Sequence, residues 1–183
     1  MKQHFIALAG NPNCGKSTAF NRYTGARQSV GNYPGVTVEK KEGIALFAQE
    51  KVRIVDLPGT YSLTAYSQEE VIARRVLAEE QPGAVINLVN AGVLQRNLYL
   101  TVQLLEMGLP VVIALNMMDE AEAQGLAIDV EQLASVTGLT VVPTVARTGE
   151  GLDAALQAAV ALSKGETEKP RALAISYGPD IDA

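Results

Sequence analysis

Short blocks of branched apolar residues alternate along the chain with longer stretches in which apolar positions recur every three or four residues. The blocks are HFIALA (4–9), KVRIVDL (51–57), AVINLVN (84–90), PVVIALN (110–116) and LTVVP (139–143). Near-continuous apolar character over so few residues predicts strands buried on both faces. The stretches Lys16 to Thr24, Gln68 to Glu80, Leu94 to Met107, Val130 to Val136 and Leu152 to Ser163 read as helices with one apolar side. Asp129, with Gln132 three residues on, starts the fourth of these, and Gly138 ends it. Strands alternating with helices predict a doubly wound α/β fold, a mainly parallel sheet covered by helices on both faces. EGIALFA (42–48) reads as an added strand, antiparallel to 51–57. Ligands of such folds collect at the carboxyl ends of the strands.

Composition narrows this picture. The 183 residues suit one ordinary domain, assigned to 1–164, with a polar, proline-bearing linker over 165–183. A formal net charge of −5 argues against a nucleic-acid partner. The single cysteine, Cys14, forms no internal disulfide and suits a reducing compartment. The chain opens on no signal peptide, and its apolar runs fall far short of the roughly 20 residues of a membrane-spanning helix, so the expectation is a soluble domain. His4, the only histidine, is expected to be exposed. The histidine, the cysteine and the carboxylates form no cluster with metal-ligand spacing.

The chemistry is concentrated where predicted strands end. GNPNCGKSTAFN (10–21) contains G-x-x-x-x-G-K-S between a strand and a helix, the context of a phosphate-binding loop. Gly10, Asn11, Asn13, Cys14, Gly15, Lys16, Ser17 and Thr18 are its expected nucleotide-binding residues; Lys16 would reach the β and γ phosphates and the Ser17 hydroxyl would ligate Mg²⁺. In VDLPG (55–59), Asp56 would hold Mg²⁺ through water and the Gly59 amide would sense the γ-phosphate. ALNMMDE (114–120) supplies N-x-x-D. The Asp119 carboxylate can accept from guanine N1–H and the N2 amino group together, a donor pair adenine lacks, so it argues for GTP over ATP. Asn116 would brace the neighbouring loops and the stem of Met117 would cover the base. In TVARTGEG (144–151), beside Val145, the Ala146 amide would face the guanine oxygen. SVGNYPGVTVEKKEG (29–43) reads as a mobile loop whose Thr37 closes over Mg²⁺ when a γ-phosphate is present.

In this order the motifs resemble the small GTPase domains. The wording of GNPNCGKSTAFN, VGNYPGVTVEKKEG, VDLPGTYSL and RNLYLTVQLLEMGLPVVIALNMMD is similar to the cytosolic G domain of the ferrous iron transport protein B (FeoB) family, over about residues 3 to 163. The resemblance implies a slow GTPase, converting GTP to GDP and phosphate, on the cytoplasmic face of the inner membrane. A helical regulatory domain and an iron-permease membrane domain of the same protein would be its partners, with a homo-oligomer possible. Thr60 stands where many GTPases carry a water-orienting glutamine. The resemblance therefore implies potassium activation, with K⁺ held by Asn13 and the backbone carbonyls of Gly31 and Tyr33, and a catalytic set of Asn13, Lys16, Thr37 and Gly59. Two positions depart from the family pattern: Asn90 replaces an aspartate and Val145 a serine. Two alternatives stay open: a nucleotide-state switch that hydrolysis only resets, and a soluble GTPase of the ribosome or tRNA-modification type.

Overall fold

Each of the five apolar blocks becomes a strand of one sheet. The computed structural model describes residues 4–167. Its elements are β1 (His4–Gly10), α1 (Lys16–Thr24), β2 (Gln28–Asn32), β3 (Glu39–Phe47), β4 (Glu50–Asp56), α2 (Gln68–Glu80), β5 (Ala84–Asn90), α3 (Leu94–Glu106), β6 (Val111–Asn116), α4 (Met118–Ala123), α5 (Val130–Thr137), β7 (Thr140–Pro143) and α6 (Leu152–Lys164). The strand order is β2-β3-β4-β1-β5-β6-β7. Pairing is parallel from β4 through β1, β5 and β6 to β7, and antiparallel from β2 to β3 to β4.

Both faces of the sheet are buried, which is why the strands read as continuous apolar runs. On one face Phe20 and Tyr23 of α1 and Leu156 and Val160 of α6 pack with Ile6, Leu8, Ile54 and Ile86. On the other, Ile72 and Leu77 of α2 and Leu100 and Leu104 of α3 pack with Val55, Val85, Ile113 and Leu115. β1 has β4 on one side and β5 on the other, so the chain leaves β1 at the point where the strand order reverses, the usual place for a ligand in this architecture. The antiparallel strand expected at 42–48 is β3, longer than expected and paired with β4 from Lys41↔Asp56 to Phe47↔Glu50. The Asp129 side chain accepts from the Gln132 amide at 2.8 Å, and α5 ends on Gly138 at φ 67°.

Three expectations need correction. Residues 29–43 are mostly strand: β2 pairs with β3 in register Gln28↔Gly43 to Asn32↔Glu39, leaving only 33–38 as a turn. All of β2 is exposed, so its regularity comes from backbone pairing at a sheet edge rather than from buried side chains. His4 is half-buried, with Nδ1 3.1 Å from Ser163 Oγ. A further short helix, α4, directly follows β6. From residue 168 on, the expected linker lies outside the described residues. Among the described residues no helix is long and apolar enough to cross a membrane.

Candidate functional site

The loop after β1 is built to bring backbone close to a ligand. Gly15, at φ 90°, is the N-cap of α1, and no side chain caps the helix, so its first amides are free to meet an anion. A Cβ on Gly15 would stand 2.2 Å from Asn116 Nδ2, and one on Gly59 would stand 3.3 Å from Pro12 N. A side chain at Gly15 would collide with the Asn116 carboxamide, and at Gly59 the Pro12 backbone leaves little room. Asn13 adopts φ 63°, a left-handed conformation that asparagine tolerates better than most residues. A cavity of about 540 Å³ opens above this loop, lined by residues 11–13 and 15–18 with Gly59 and Met117. Gly10 and Cys14 lie beneath: a Cβ on Gly10 would stand 2.6 Å from Cys14 Sγ, and burial pushes the thiol up to about 11.

Lys16 and Asp56 form a buried ion pair, Nζ to Oδ1 2.6 Å, with side-chain exposures of 10% and 6%. Burial pushes the Asp56 carboxyl above its ordinary value, while the Lys16 ammonium pulls it down. The pair joins the phosphate loop to the end of β4, and Thr60 adds a second tie by donating from its amide to the Gly10 carbonyl at 3.3 Å.

Asn116, at the end of β6 and 2% exposed, joins three loops. Its Nδ2 donates to the Cys14 carbonyl at 2.8 Å, and its Oδ1 accepts from the Ala146 amide at 2.8 Å and from Thr144 Oγ1 at 3.3 Å. The Ala146 amide, expected to face a base, is thus directed to Asn116; the side chain that braces the loop uses the donor. Asn116→Ala would leave two buried backbone groups without partners, a destabilisation of about 2–4 kcal/mol. Urea unfolding of the variant should show this loss.

Met117 takes φ 63° and starts α4, which places Asp119 in the first turn of that helix. Such a conformation is uncommon for a residue other than glycine. Asp119 is half-buried, and its Oδ2 accepts from Arg147 Nη2 at 3.0 Å. The Arg147 guanidinium holds the Asp119 carboxyl below its usual range.

The structure does not bring the 33–38 turn to this cavity. Thr37 is exposed, and Gly31 lies in β2 paired with Lys40, at the sheet edge beyond β3 and β4. The Tyr33 carbonyl accepts from the Val36 amide at 3.2 Å, and its side chain is buried with Leu57 and Leu63. Strand pairing and this apolar seat keep the segment away from the phosphate loop. Buried among apolar groups, the Tyr33 hydroxyl has no hydrogen-bond partner and its pKa is pushed up to about 12.

Glu70 is a residue the sequence reading missed. Its carboxylate accepts from Ser62 Oγ at 2.7 Å, Thr64 Oγ1 at 3.2 Å and the Tyr66 amide at 2.9 Å, gathering the loop that follows Gly59. The cue was present in Y-S-Q-E-E, where Ser67 caps α2 by accepting from the Glu70 amide, since a capping serine is often followed three residues later by a glutamate. Asn90 also acquires a role: its side chain accepts from the Gly92 amide at 2.8 Å, capping the turn after β5 as an aspartate would.

The "Fe(2+) transport protein A/Fe(2+) transporter FeoB fusion protein" of Porphyromonas gingivalis is 51% identical over 178 residues, 97% of this chain and 21% of that protein. The chain spans about one fifth of the length of the curated relatives it matches. Among solved structures, a mutant of S. thermophilus NFeoB bound to mGDP superposes with a TM-score of 0.87 at 43% identity, covering 93% of this chain and 65% of that one. The cytosolic domain of L. pneumophila FeoB gives 0.88 at 44% identity, covering 97% of this chain and 76% of that one. The family model for ferrous iron transport protein B matches residues 4–159, and the chain belongs to that family.

Proposed function

We propose that this domain binds GTP and hydrolyses it to GDP and phosphate, and that its nucleotide state governs ferrous iron uptake by a full-length membrane transporter. The observation that carries this reading is the Asn116 tie, which joins the cavity-lining phosphate loop to the N-x-x-D turn and the Ala146 loop. The loop amides would hold the phosphates, and the Asp119 carboxylate, two residues beyond the cavity-lining Met117, would select guanine. GDP bound to the S. thermophilus relative supports the same ligand class.

Mg²⁺ fits the residues present: Ser17 lines the cavity, and the Asp56 carboxylate is held by the neighbouring Lys16, which lines it too. A bound Mg²⁺ would neutralise phosphate charge and orient the β and γ oxygens. Lys16 would exchange Asp56 for the phosphates, and Gly59, whose backbone passes close to Pro12 of the loop, would offer its amide to the γ-phosphate. K⁺ fits in part. Asn13 is exposed at the cavity, whereas the Gly31 and Tyr33 carbonyls would join it only after the 33–38 turn leaves its seat, and Thr37 would travel with them. Positive charge at Asn13 would serve where Thr60 supplies no glutamine.

The test is GTP hydrolysis in KCl and NaCl at matched ionic strength. We expect KCl to raise turnover by about tenfold or more, short of the roughly 10³–10⁵ of an arginine finger, and Asn13→Ala to remove the increase. Equal rates in both salts would rule out the potassium step. A helical regulatory domain and a permease domain are the partners this reading requires, at the cytoplasmic face of the inner membrane. If iron uptake runs equally well on a non-hydrolysable analogue, binding is the signal and hydrolysis only resets it.

A further inference from the structure

The carboxylate assigned to guanine already has a partner within the chain. Arg147 Nη2 donates to Asp119 Oδ2 at 3.0 Å. The Arg147 side chain is 79% exposed, yet its backbone is fixed. Val145 donates its amide to the Glu150 carbonyl at 3.0 Å, and the Thr148 and Gly149 amides both donate to the Val145 carbonyl, at 3.0 and 2.9 Å. The Arg22 guanidinium, in the last turn of α1, donates to the Arg147 carbonyl. A Cβ on Gly149 would stand 3.2 Å from Arg22 Nη1, so a glycine there keeps that approach open. The result is a long cationic side chain on a pinned tight turn, with its guanidinium on the acceptor that a guanine N1–H and N2 amino group would use.

We propose that Arg147 sets nucleotide affinity: its guanidinium occupies Asp119, and an incoming guanine base must displace it. This inference rests on the guanine-nucleotide reading and deepens it. The base and the guanidinium draw on the same oxygen and the same charge, so only the fraction of molecules with Asp119 released is ready to bind. Once the base is seated the contact is lost, so the effect falls on association and leaves dissociation nearly unchanged. An exposed ion pair holds only modestly, which limits the effect to about two- to fivefold.

Stopped-flow binding of methylanthraniloyl-GDP to the protein and to Arg147→Ala tests the proposal. The variant should associate about two- to fivefold faster, with a matching fall in Kd and an unchanged dissociation rate. The gap between the two proteins should narrow from low salt to roughly 0.5 M, because screening releases Asp119 in the parent. Unchanged association, or weaker binding by Arg147→Ala, would overturn the proposal; the second result would mean that the arginine stem covers the bound base. Asp119→Asn separates this failure from failure of the guanine reading. If that variant keeps full GDP affinity, guanine recognition itself is wrong. If it loses GDP and gains xanthosine diphosphate while Arg147→Ala changes nothing, recognition stands and the competition is refuted.

Discussion

Lys16→Met is expected to abolish measurable GTP turnover and to destabilise the domain by about 3–5 kcal/mol at neutral pH, the usual consequence of leaving one member of a buried ion pair alone. The two effects have separate origins. Loss of turnover follows from removing the charge that meets the β and γ phosphates, worth a factor of about 10² or more. Loss of stability follows from Asp56, which is 6% exposed and has Lys16 Nζ at 2.6 Å as its counter-charge. The pH dependence distinguishes lost charge pairing from lost packing. Burial already raises the Asp56 carboxyl, and without Lys16 only the smaller pull of Lys41 opposes that rise. A group whose folded pKa exceeds its unfolded value costs stability in full above the folded pKa, and the cost shrinks as pH falls toward the unfolded value near about 4. Urea midpoints of parent and variant should therefore be far apart at pH 8 and converge toward pH 5. A gap that stays constant with pH would assign the deficit to the lost lysine stem.

Asp119→Asn should reduce GDP and GTP affinity by about 10²–10⁴-fold, since two hydrogen bonds to a charged acceptor are worth about 1.5–3 kcal/mol each. The amide presents one acceptor and one donor where the carboxylate presents two acceptors, so the guanine N2 amino group would meet an N–H. Xanthine carries an oxygen at that position and pairs with the amide, so the variant should prefer xanthosine nucleotides. Competition of GDP, XDP and ADP against a fluorescent nucleotide reads this directly. ADP should fail with both proteins. An Asp119→Asn protein that still prefers GDP would show that base selection lies elsewhere.

The strands and the phosphate loop were legible because their causes are local. β1, β4, β5 and β6 are buried on both faces and so are written as apolar runs, and Gly15 sits at a positive φ that the motif anticipates. β2 was illegible: QSVGN has no buried position, and what makes it a strand is its pairing with β3, from Asn32↔Glu39 out to Gln28↔Gly43. α4 is six residues of a mixed polar sequence, too short to show a period. The N-x-x-D motif pointed to Asp119 but not to Arg147, because an ion pair across 28 positions depends on how two loops are brought together. The partner of the Ala146 amide was hidden for the same reason: the motif names the loop, and only the fold shows that Asn116 accepts its hydrogen bond.

The antiparallel edge of the sheet carries one more consequence. The turn at 33–38 closes a two-stranded ribbon, with Asn32 opposite Glu39, Gly31 opposite Lys40 and the Tyr33 amide bonded to the Val38 carbonyl at 3.0 Å. Any rearrangement that carries Gly31 to the phosphate loop must unzip these rungs from the turn inward, so ordering at the nucleotide is matched by fraying at the sheet margin. The ribbon thus behaves as a clasp, and the protection of the Gly31 and Lys40 amides against solvent deuterium becomes a direct gauge of whether it is shut.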